Sequence, residues 1–163
     1  MGEDLRRLKN MIFEPFHKYC PDIAEKETRT FKILRDPVVP DGDYGLVDLY
    51  CSEHGCDCRR AYLVVFSREK KKALAEISFG WEDEAFYAHW SEMTDTEDLK
   101  KLKGPSLNSW SPHQSEWVPA LLEIVSGMLE RDRDYVERIK KHYDIFKKVV
   151  ENQRERGLRS LHD

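Results

Sequence analysis

Long hydrophobic runs are missing from this 163-residue sequence. No stretch approaches the roughly 18 apolar residues that a membrane-spanning helix requires. The first residues, Met1–Leu5, lack the apolar segment of a secretory signal peptide. The sixth residue, Arg6, does not fit the pattern for N-myristoylation. These absences predict a cytoplasmic protein that does not associate with membranes.

Positive charge is also in short supply. The chain has 27 Lys and Arg against 31 Asp and Glu, which gives a net charge of −4 and a pI near 5.9. Broad nucleic-acid binding needs a positive surface that releases counterions from phosphates. The basic runs Lys70–Lys72 and Lys100–Lys101 are interpreted as solvated surface. Nucleic acid is therefore not expected as the main partner, although local binding through Arg59 and Arg60 stays an alternative.

Several catalytic signatures do not occur in the sequence. It contains neither of the phosphate-binding motifs G-x-x-x-x-G-K and G-x-G-x-x-G, and it lacks the G-x-S-x-G turn of serine hydrolases. The H-x-E signature of the zinc deaminases is missing too. No catalytic residue can be assigned, so a protein without enzymatic activity is the preferred interpretation.

Cysteine is scarce, but it is concentrated. Three of the four cysteines lie in the eight residues from Cys51 to Cys58, together with His54, in the pattern C-x2-H-x-C-x-C. Clustered cysteines in a reducing compartment indicate a metal site more than a disulfide framework. Zinc prefers four thiolate or imidazole ligands in a tetrahedron. We therefore predict a zinc knuckle held by Cys51, His54, Cys56 and Cys58, with Gly55 allowing the tight turn.

The fourth ligand has competitors elsewhere in the chain. Cys20 is the main alternative to His54, provided that the N-terminal turn packs beside the knuckle, and His113 and His89 are weaker candidates. Four protein ligands would make a closed, structural site. If only the three cysteines bind, an open position remains, and the alternative is a metal-dependent hydrolase with a carboxylate such as Glu82 as its base.

The apolar pattern changes from strands to helices along the chain. Period-two alternation or short apolar runs predict four strands, near 28–34, 44–51, 61–66 and 73–81. In the second strand, Val47 and Leu49 are assigned to one face and Asp48 to an outward face. Apolar residues three or four apart predict helices over about 3–14, 83–91, 94–103, 111–130 and 132–151. Ser111 is expected to cap the fourth of these helices.

Together these elements predict one α+β domain over residues 1–163. Short turns between the strands favour a four-stranded, mainly antiparallel sheet, because parallel neighbours need long crossovers. An N-terminal helix and a C-terminal antiparallel helix pair are expected to pack on this sheet. The charged tail, 152–163, is expected to fray.

Short motifs at several positions resemble a known group of proteins. They are Tyr50-Cys51, Cys56–Arg60, Phe79–Glu82, Phe86-Tyr87, Gly104–Leu107 and Gln114-Ser115. With them, the region from Tyr44 to Tyr143 resembles an uncharacterised group of bacterial proteins often associated with SEC-C metal-binding segments. The resemblance implies that Cys51, Cys56 and Cys58 correspond to metal positions of that group, and it implies no activity. The chain lacks the C-terminal C-x-C…C-C segment, so docking through that segment is not implied.

The sequence thus predicts a small cytoplasmic zinc-binding domain with a structural metal. Its expected role is that of a binding or adaptor module for an unspecified protein partner.

Overall fold

A computed structural model of the protein describes residues 11–108 and 110–162. Strands and short helices alternate in the first half, and longer helices form the second half. The strands are β1 (Phe13–Pro15), β2 (Arg29–Ile33), β3 (Gly42–Cys51), β4 (Arg60–Ser67), β5 (Lys72–Gly80) and β6 (Ser106–Leu107). The helices are α1 (Phe16–Tyr19), α2 (Pro21–Glu27), α3 (Glu84–Ser91), α4 (Thr96–Lys103), α5 (Val118–Arg131) and α6 (Arg133–Ser160).

The six strands form one antiparallel sheet in the order β1-β3-β4-β5-β6, and β2 also pairs with β3. β1 pairs with the end of β3, from Phe13 opposite Cys51, and β2 pairs with its beginning, with Ile33 opposite Gly42. These two strands therefore lie end to end along the same edge of β3. The long central strands β3, β4 and β5 carry most of the buried residues of the sheet.

Helices α5 and α6 cover one face of the sheet. α5 lies against β5, α6 lies against β3, and the two helices contact each other. Asp132 caps α6 by accepting a hydrogen bond from the Tyr135 amide (3.0 Å). Tyr135 is also the first of the buried side chains of this helix. Apolar side chains of the sheet and of both helices form the main core, which includes Leu46, Tyr50, Leu63, Ile77, Leu121, Val125, Ile139 and Phe146.

A smaller core lies beside the sheet, between α3 and α4. Tyr87, Leu99 and Leu102 are its buried residues. Asp83 and Asp95 cap the two helices with their side chains, as aspartate commonly does. This pair of helices contacts the beginning of β4.

The α+β class and the antiparallel pairing agree with the sequence prediction, but the sheet has six strands, not four. The four predicted strands correspond to β2, β3, β4 and β5. β1 and β6 have only three and two residues, which is too short for a periodic pattern to show. Each of these two strands forms by pairing with a longer neighbouring strand, so its position depends on tertiary contacts and not on a local pattern.

The helices also differ from the prediction in several places. Most of the helix predicted over 3–14 lies outside the described residues, but its last part is wrong, because Phe13–Pro15 forms β1. Helices α1 and α2 occupy a stretch where the sequence indicated only a turn at Cys20-Pro21. The charged tail continues α6 as far as Ser160, and its fraying stays a prediction.

The predicted helix start at Ser111 is wrong. The hydroxyl of Ser111 accepts a hydrogen bond from the His113 amide (3.0 Å) in a local turn, and α5 begins only at Val118. The Ser115 hydroxyl donates to the carbonyl of Leu74 (2.8 Å) and so ties this segment to β5. This contact with the sheet keeps the segment out of a helix, although the residues from Ser111 onward match a helix-capping pattern.

No helix among the described residues combines the length and the apolar character that crossing a bilayer requires.

Candidate metal centre

The three clustered cysteines lie where β3 ends and β4 approaches. Cys51 is the last residue of β3, Cys56 lies in the loop that follows, and Cys58 comes just before β4. A hydrogen bond from the Cys56 amide to the Glu53 carbonyl (3.3 Å) closes a tight turn in which Gly55 has a φ of +69°. Glycine adopts this left-handed conformation without steric cost. The sulfur atoms of the three cysteines all lie within 4.8 Å of one another.

The donor atoms and their spacing fit a zinc ion. A tetrahedral zinc with Zn–S bonds of ~2.3 Å holds its sulfur ligands about 3.8 Å apart, which the limit of 4.8 Å accommodates. Cys51 and Cys58 are fully buried, and Cys56 is half-buried. The backbone amide of Glu53 donates to Cys51 Sγ (3.4 Å), and such a contact favours a thiolate. The cluster can therefore hold a metal ion.

Hydrogen bonds among the cysteines distribute their protons unevenly. The bond that Cys56 accepts from Cys51 lowers the pKa of the Cys56 thiol to about 3, and the bond to Cys58 acts in the same direction. The bond to Cys56 raises the pKa of Cys51 to about 11, and bonds to Cys51 and Cys56 raise the pKa of Cys58. A metal that binds all three sulfurs must therefore displace protons from Cys51 and Cys58.

One face of α6 holds the loop of the knuckle. Tyr143, Lys147 and Glu151 are four residues apart, so their side chains line the same face of the helix. The Lys147 ammonium donates to the carbonyl of Cys51 (2.5 Å), and the Tyr143 hydroxyl accepts a hydrogen bond from the Arg59 amide (3.2 Å). Glu151 Oε2 lies 2.9 Å from His54 Nδ1. The loop is thus fixed against a helix that is far away in sequence.

His54 is not among the residues that the structure brings together at the cluster. Its side chain is 64% exposed and pairs with Glu151. Cys20 is buried, and its charged neighbour is Asp48; burial and this carboxylate together raise the pKa of the Cys20 thiol. The group of mutually close sulfurs contains Cys51, Cys56 and Cys58 but not Cys20. The identity of a fourth ligand therefore stays a prediction.

The remaining sequence candidates lie elsewhere. His89 is an exposed residue of α3, and His113 lies in the turn before α5. Glu82, the base of the hydrolase alternative, lies 3.4 Å from an Nη of Arg59 and pairs with it. This pairing gives Glu82 a partner other than a metal-bound water.

A buried polar cluster in the core was missed by the sequence reasoning. His142 Nδ1 lies 2.7 Å from Asp48 Oδ2, and His142 Nε2 lies 2.7 Å from Glu27 Oε2. The Tyr50 hydroxyl donates to the same Asp48 oxygen (2.7 Å). The ring of Phe16 stacks on the imidazole at a centroid distance of 4.1 Å. We call Asp48, His142 and Glu27 the carboxylate–histidine cluster.

The assignment of Asp48 to an outward face is wrong. Asp48 is only 6% exposed, because Tyr44, Leu46, Asp48 and Tyr50 form the face of β3 that α6 covers. A signal for His142 was present, since it follows Ile139 by three residues and so falls on the buried stripe of α6. A buried histidine needs polar partners. A polar residue in the strand that faces the helix is a candidate partner.

The carboxylate–histidine cluster shifts the titration of its members. Burial disfavours the charged form of His142, but the hydrogen bonds to Asp48 and Glu27 outweigh it and raise the pKa of the ring above its ordinary value of 6.5. The bond to His142, with a further contribution from Lys141, lowers the pKa of Glu27. The His142 ring, with one carboxylate at each nitrogen, thus joins α6 to β3 and to α2.

A scan of protein-family models gives no match, and comparisons with curated proteins and with solved structures give none either. The function is therefore argued from the geometry of the site.

Proposed function

We propose that this protein is a small zinc-binding domain in which Cys51, Cys56 and Cys58 hold a structural metal. The mutual approach of the three sulfur atoms within 4.8 Å carries the proposal. The metal joins the end of β3 to the beginning of β4, and the stripe of α6 that contacts the loop extends this junction to the helical layer. Its role is to fix the loop between the two central strands.

His54 is proposed as the fourth ligand. Histidines that bind metals commonly present their second ring nitrogen to a carboxylate, and Glu151 occupies the Nδ1 side of His54. This arrangement leaves Nε2 as the ligand atom. His54 also lies on the same short, exposed loop as Cys56, whereas Cys20 is buried beside Asp48. A rotation of the exposed His54 side chain costs less than moving a buried cysteine through the core.

A binding or adaptor role in the cytoplasm follows from this proposal. A reducing compartment keeps the thiols available for a metal, and the four cysteines are free. Glu53, His54 and Gly55 form an exposed tip, which a bound metal would hold in one conformation. Such a rigid tip is suited to docking a protein partner with little loss of conformational entropy.

Metal content and ligand identity test the proposal directly. Protein purified under reducing conditions with zinc supplied is expected to contain one zinc per chain, measured by inductively coupled plasma mass spectrometry. X-ray absorption at the zinc edge is expected to show three sulfur ligands and one nitrogen ligand at the distances usual for zinc. The Cys20→Ser variant is the matched control, and it should give the same spectrum.

Two results would contradict the proposal in distinct ways. A protein that contains no metal after this preparation would overturn the zinc site itself. A spectrum with four sulfurs that loses one of them in Cys20→Ser would retain the metal but replace His54 by Cys20.

A further inference from the structure

A cavity lies away from the cysteine cluster, between the beginning of β4, the end of β5, α4 and β6. It has a volume of about 280 Å³, close to the lower end of the range for small-molecule sites. Its lining includes polar, aromatic and aliphatic side chains, namely those of Arg60, Tyr62, Ser78, Leu107, Asn108 and Trp110. Of the lining residues that the structure describes, Arg60 is the only arginine.

Within the described part of the chain, the guanidinium of Arg60 has only neutral hydrogen-bond partners. Arg60 is 4% exposed, its Nε donates to the carbonyl of Leu102 (2.9 Å), and one Nη donates to the hydroxyl of Ser78. Among the described residues, the ion pairs of the structure include none with Arg60. A buried charge is normally paired with an opposite charge, because its desolvation is costly. An anion from outside would supply the missing charge.

The neighbouring Arg59 shows the usual arrangement. Its guanidinium lies 3.0 Å from Asp57 and 3.4 Å from Glu82, and its side chain is 39% exposed. The two adjacent arginines thus differ in both burial and pairing. The more buried residue is the one that has no carboxylate partner in the described structure.

The walls of the cavity suit a flat apolar body. The Tyr62 ring lies 5.7 Å from the Arg60 guanidinium carbon, and Trp110 is 51% exposed although it is large and apolar. Exposed aromatic rings beside a cavity offer stacking surface to a ligand. Lys101 and Asp98 also line the cavity. The described lining residues thus include two cations, Arg60 and Lys101, and one carboxylate, which gives this lining a net positive charge.

We propose that this cavity binds a small aromatic anion. A carboxylate or phosphate group contacts the Arg60 guanidinium, which recognises either group by paired hydrogen bonds, and the aromatic body lies against Tyr62 and Trp110. The proposal does not depend on zinc, because the cavity and the cysteine cluster use different side chains.

Nuclear magnetic resonance titration of the full chain tests the proposal with three probes. Benzoate and phenyl phosphate carry the two candidate anionic groups, and benzamide has the shape of benzoate without its charge. Both anions, or one of them, should shift the indole N–H signal of Trp110 and the amide of Asn108 in a saturable way. Dissociation constants of about 1 mM are expected for ligands of this size. Benzamide should bind at least about tenfold more weakly, since it lacks the charge-assisted hydrogen bonds.

The adjacent arginines provide a matched pair of variants. Arg60→Met keeps a long, apolar side chain and should weaken benzoate binding at least about tenfold, whereas Arg59→Met should leave it unchanged. The Trp110→Phe variant assigns the indole signal. If Arg60→Met does not fold, the comparison of benzoate with benzamide on the unaltered protein decides the matter. Equal binding of these two probes, no saturable shift with either anion, or full affinity in a folded Arg60→Met variant would overturn the proposal.

Discussion

Helix α6 is joined to β3 at two places that are built in different ways. At the cysteine knuckle, Tyr143, Lys147 and Glu151 contact a loop whose three sulfurs come from eight consecutive residues. At the carboxylate–histidine cluster, one histidine joins side chains from β3 and α2. The first site gathers its groups within a loop, and the second gathers them from separate elements of the fold.

The difference lies in what completes each site. The knuckle holds three sulfurs, two of which have a raised pKa and keep their protons in the metal-free protein, so an added cation must replace those protons. In the carboxylate–histidine cluster, each ring nitrogen of His142 already has a carboxylate partner from the chain itself, so no added ion is required. We therefore expect stability at the knuckle to depend on metal, and stability at the cluster to depend on pH.

The largest effect is expected at the knuckle. Cys58→Ser removes a fully buried ligand and should abolish metal binding. It should also lower the free energy of unfolding by more than about 4 kcal/mol relative to the zinc-loaded protein, as loss of a structural metal does. Urea unfolding monitored by circular dichroism, with and without added zinc, measures this effect.

Cys20→Ser serves as the control for that experiment, because it also replaces a buried cysteine but lies outside the group of close sulfurs. It should retain one zinc per chain and a stability that still rises when zinc is added. If Cys58→Ser and Cys20→Ser lost the same stability with and without zinc, the proposed dependence of the knuckle on metal would be wrong.

The contrast between the two sites also explains what the sequence could predict. The cysteine cluster was visible because its residues are adjacent in the chain and share one chemistry. The contacts of His142 join residues that are 94 and 115 positions apart, and no local pattern specifies such a pairing. Asp48 was assigned to the wrong face because both faces of β3 carry apolar residues, and only the packing of α6 shows which is covered.

The fold divides in the same way between local and distant determinants. β2, β3, β4 and β5, together with α3, α4 and the C-terminal helices, follow from apolar periodicity over eight residues or more, or from clear turns. β1 and β6 form because their backbones pair with β3 and β5, respectively. The helix start at Ser111 failed for a related reason, since the contact from Ser115 to Leu74 holds the segment outside a helix.

The next effect is expected at the carboxylate–histidine cluster. Asp48→Ala leaves the buried His142 with one carboxylate, so the free energy of unfolding should fall by about 3 kcal/mol, as for other buried pairs that lose one member. Asp57→Ala is the matched control, because Asp57 also pairs with a cation but its side chain is 60% exposed. It should cost at most about 1 kcal/mol. Similar losses in the two variants would contradict the idea that Asp48 balances a buried charge.

A smaller and more specific effect is a dependence on pH. Because the pKa of His142 is raised in the folded protein, the stabilisation from its charge is fully present below about 6.5, its unfolded value. It is lost as the pH rises through the higher folded pKa. Among the described residues, Asp48 and Glu27 contact the ring, and the charged groups nearby are Lys141, Arg29 and Arg138.

Urea unfolding between pH 6 and pH 9 (a range chosen around the histidine pKa) measures this dependence. His142→Gln keeps hydrogen-bonding groups but cannot take up a proton, so its stability should fall less over this range than that of the unaltered protein. The knuckle is present in both proteins, and its own pH dependence therefore cancels in the comparison. Parallel curves would mean that His142 does not change its proton occupancy on unfolding.

The smallest effect on stability is expected at His54, and it separates the two sites most clearly. Without metal, His54→Ala should cost less than about 1 kcal/mol, because its pair with Glu151 is exposed. With zinc, the same substitution should weaken metal binding at least about tenfold, since it removes a proposed ligand. Competition with a chromophoric chelator measures the zinc affinity. Glu151→Gln should give a smaller loss in the same direction, because it removes only the partner of Nδ1. Unchanged zinc affinity in His54→Ala would remove this residue from the site and leave the three sulfurs as the ligands that the chain supplies.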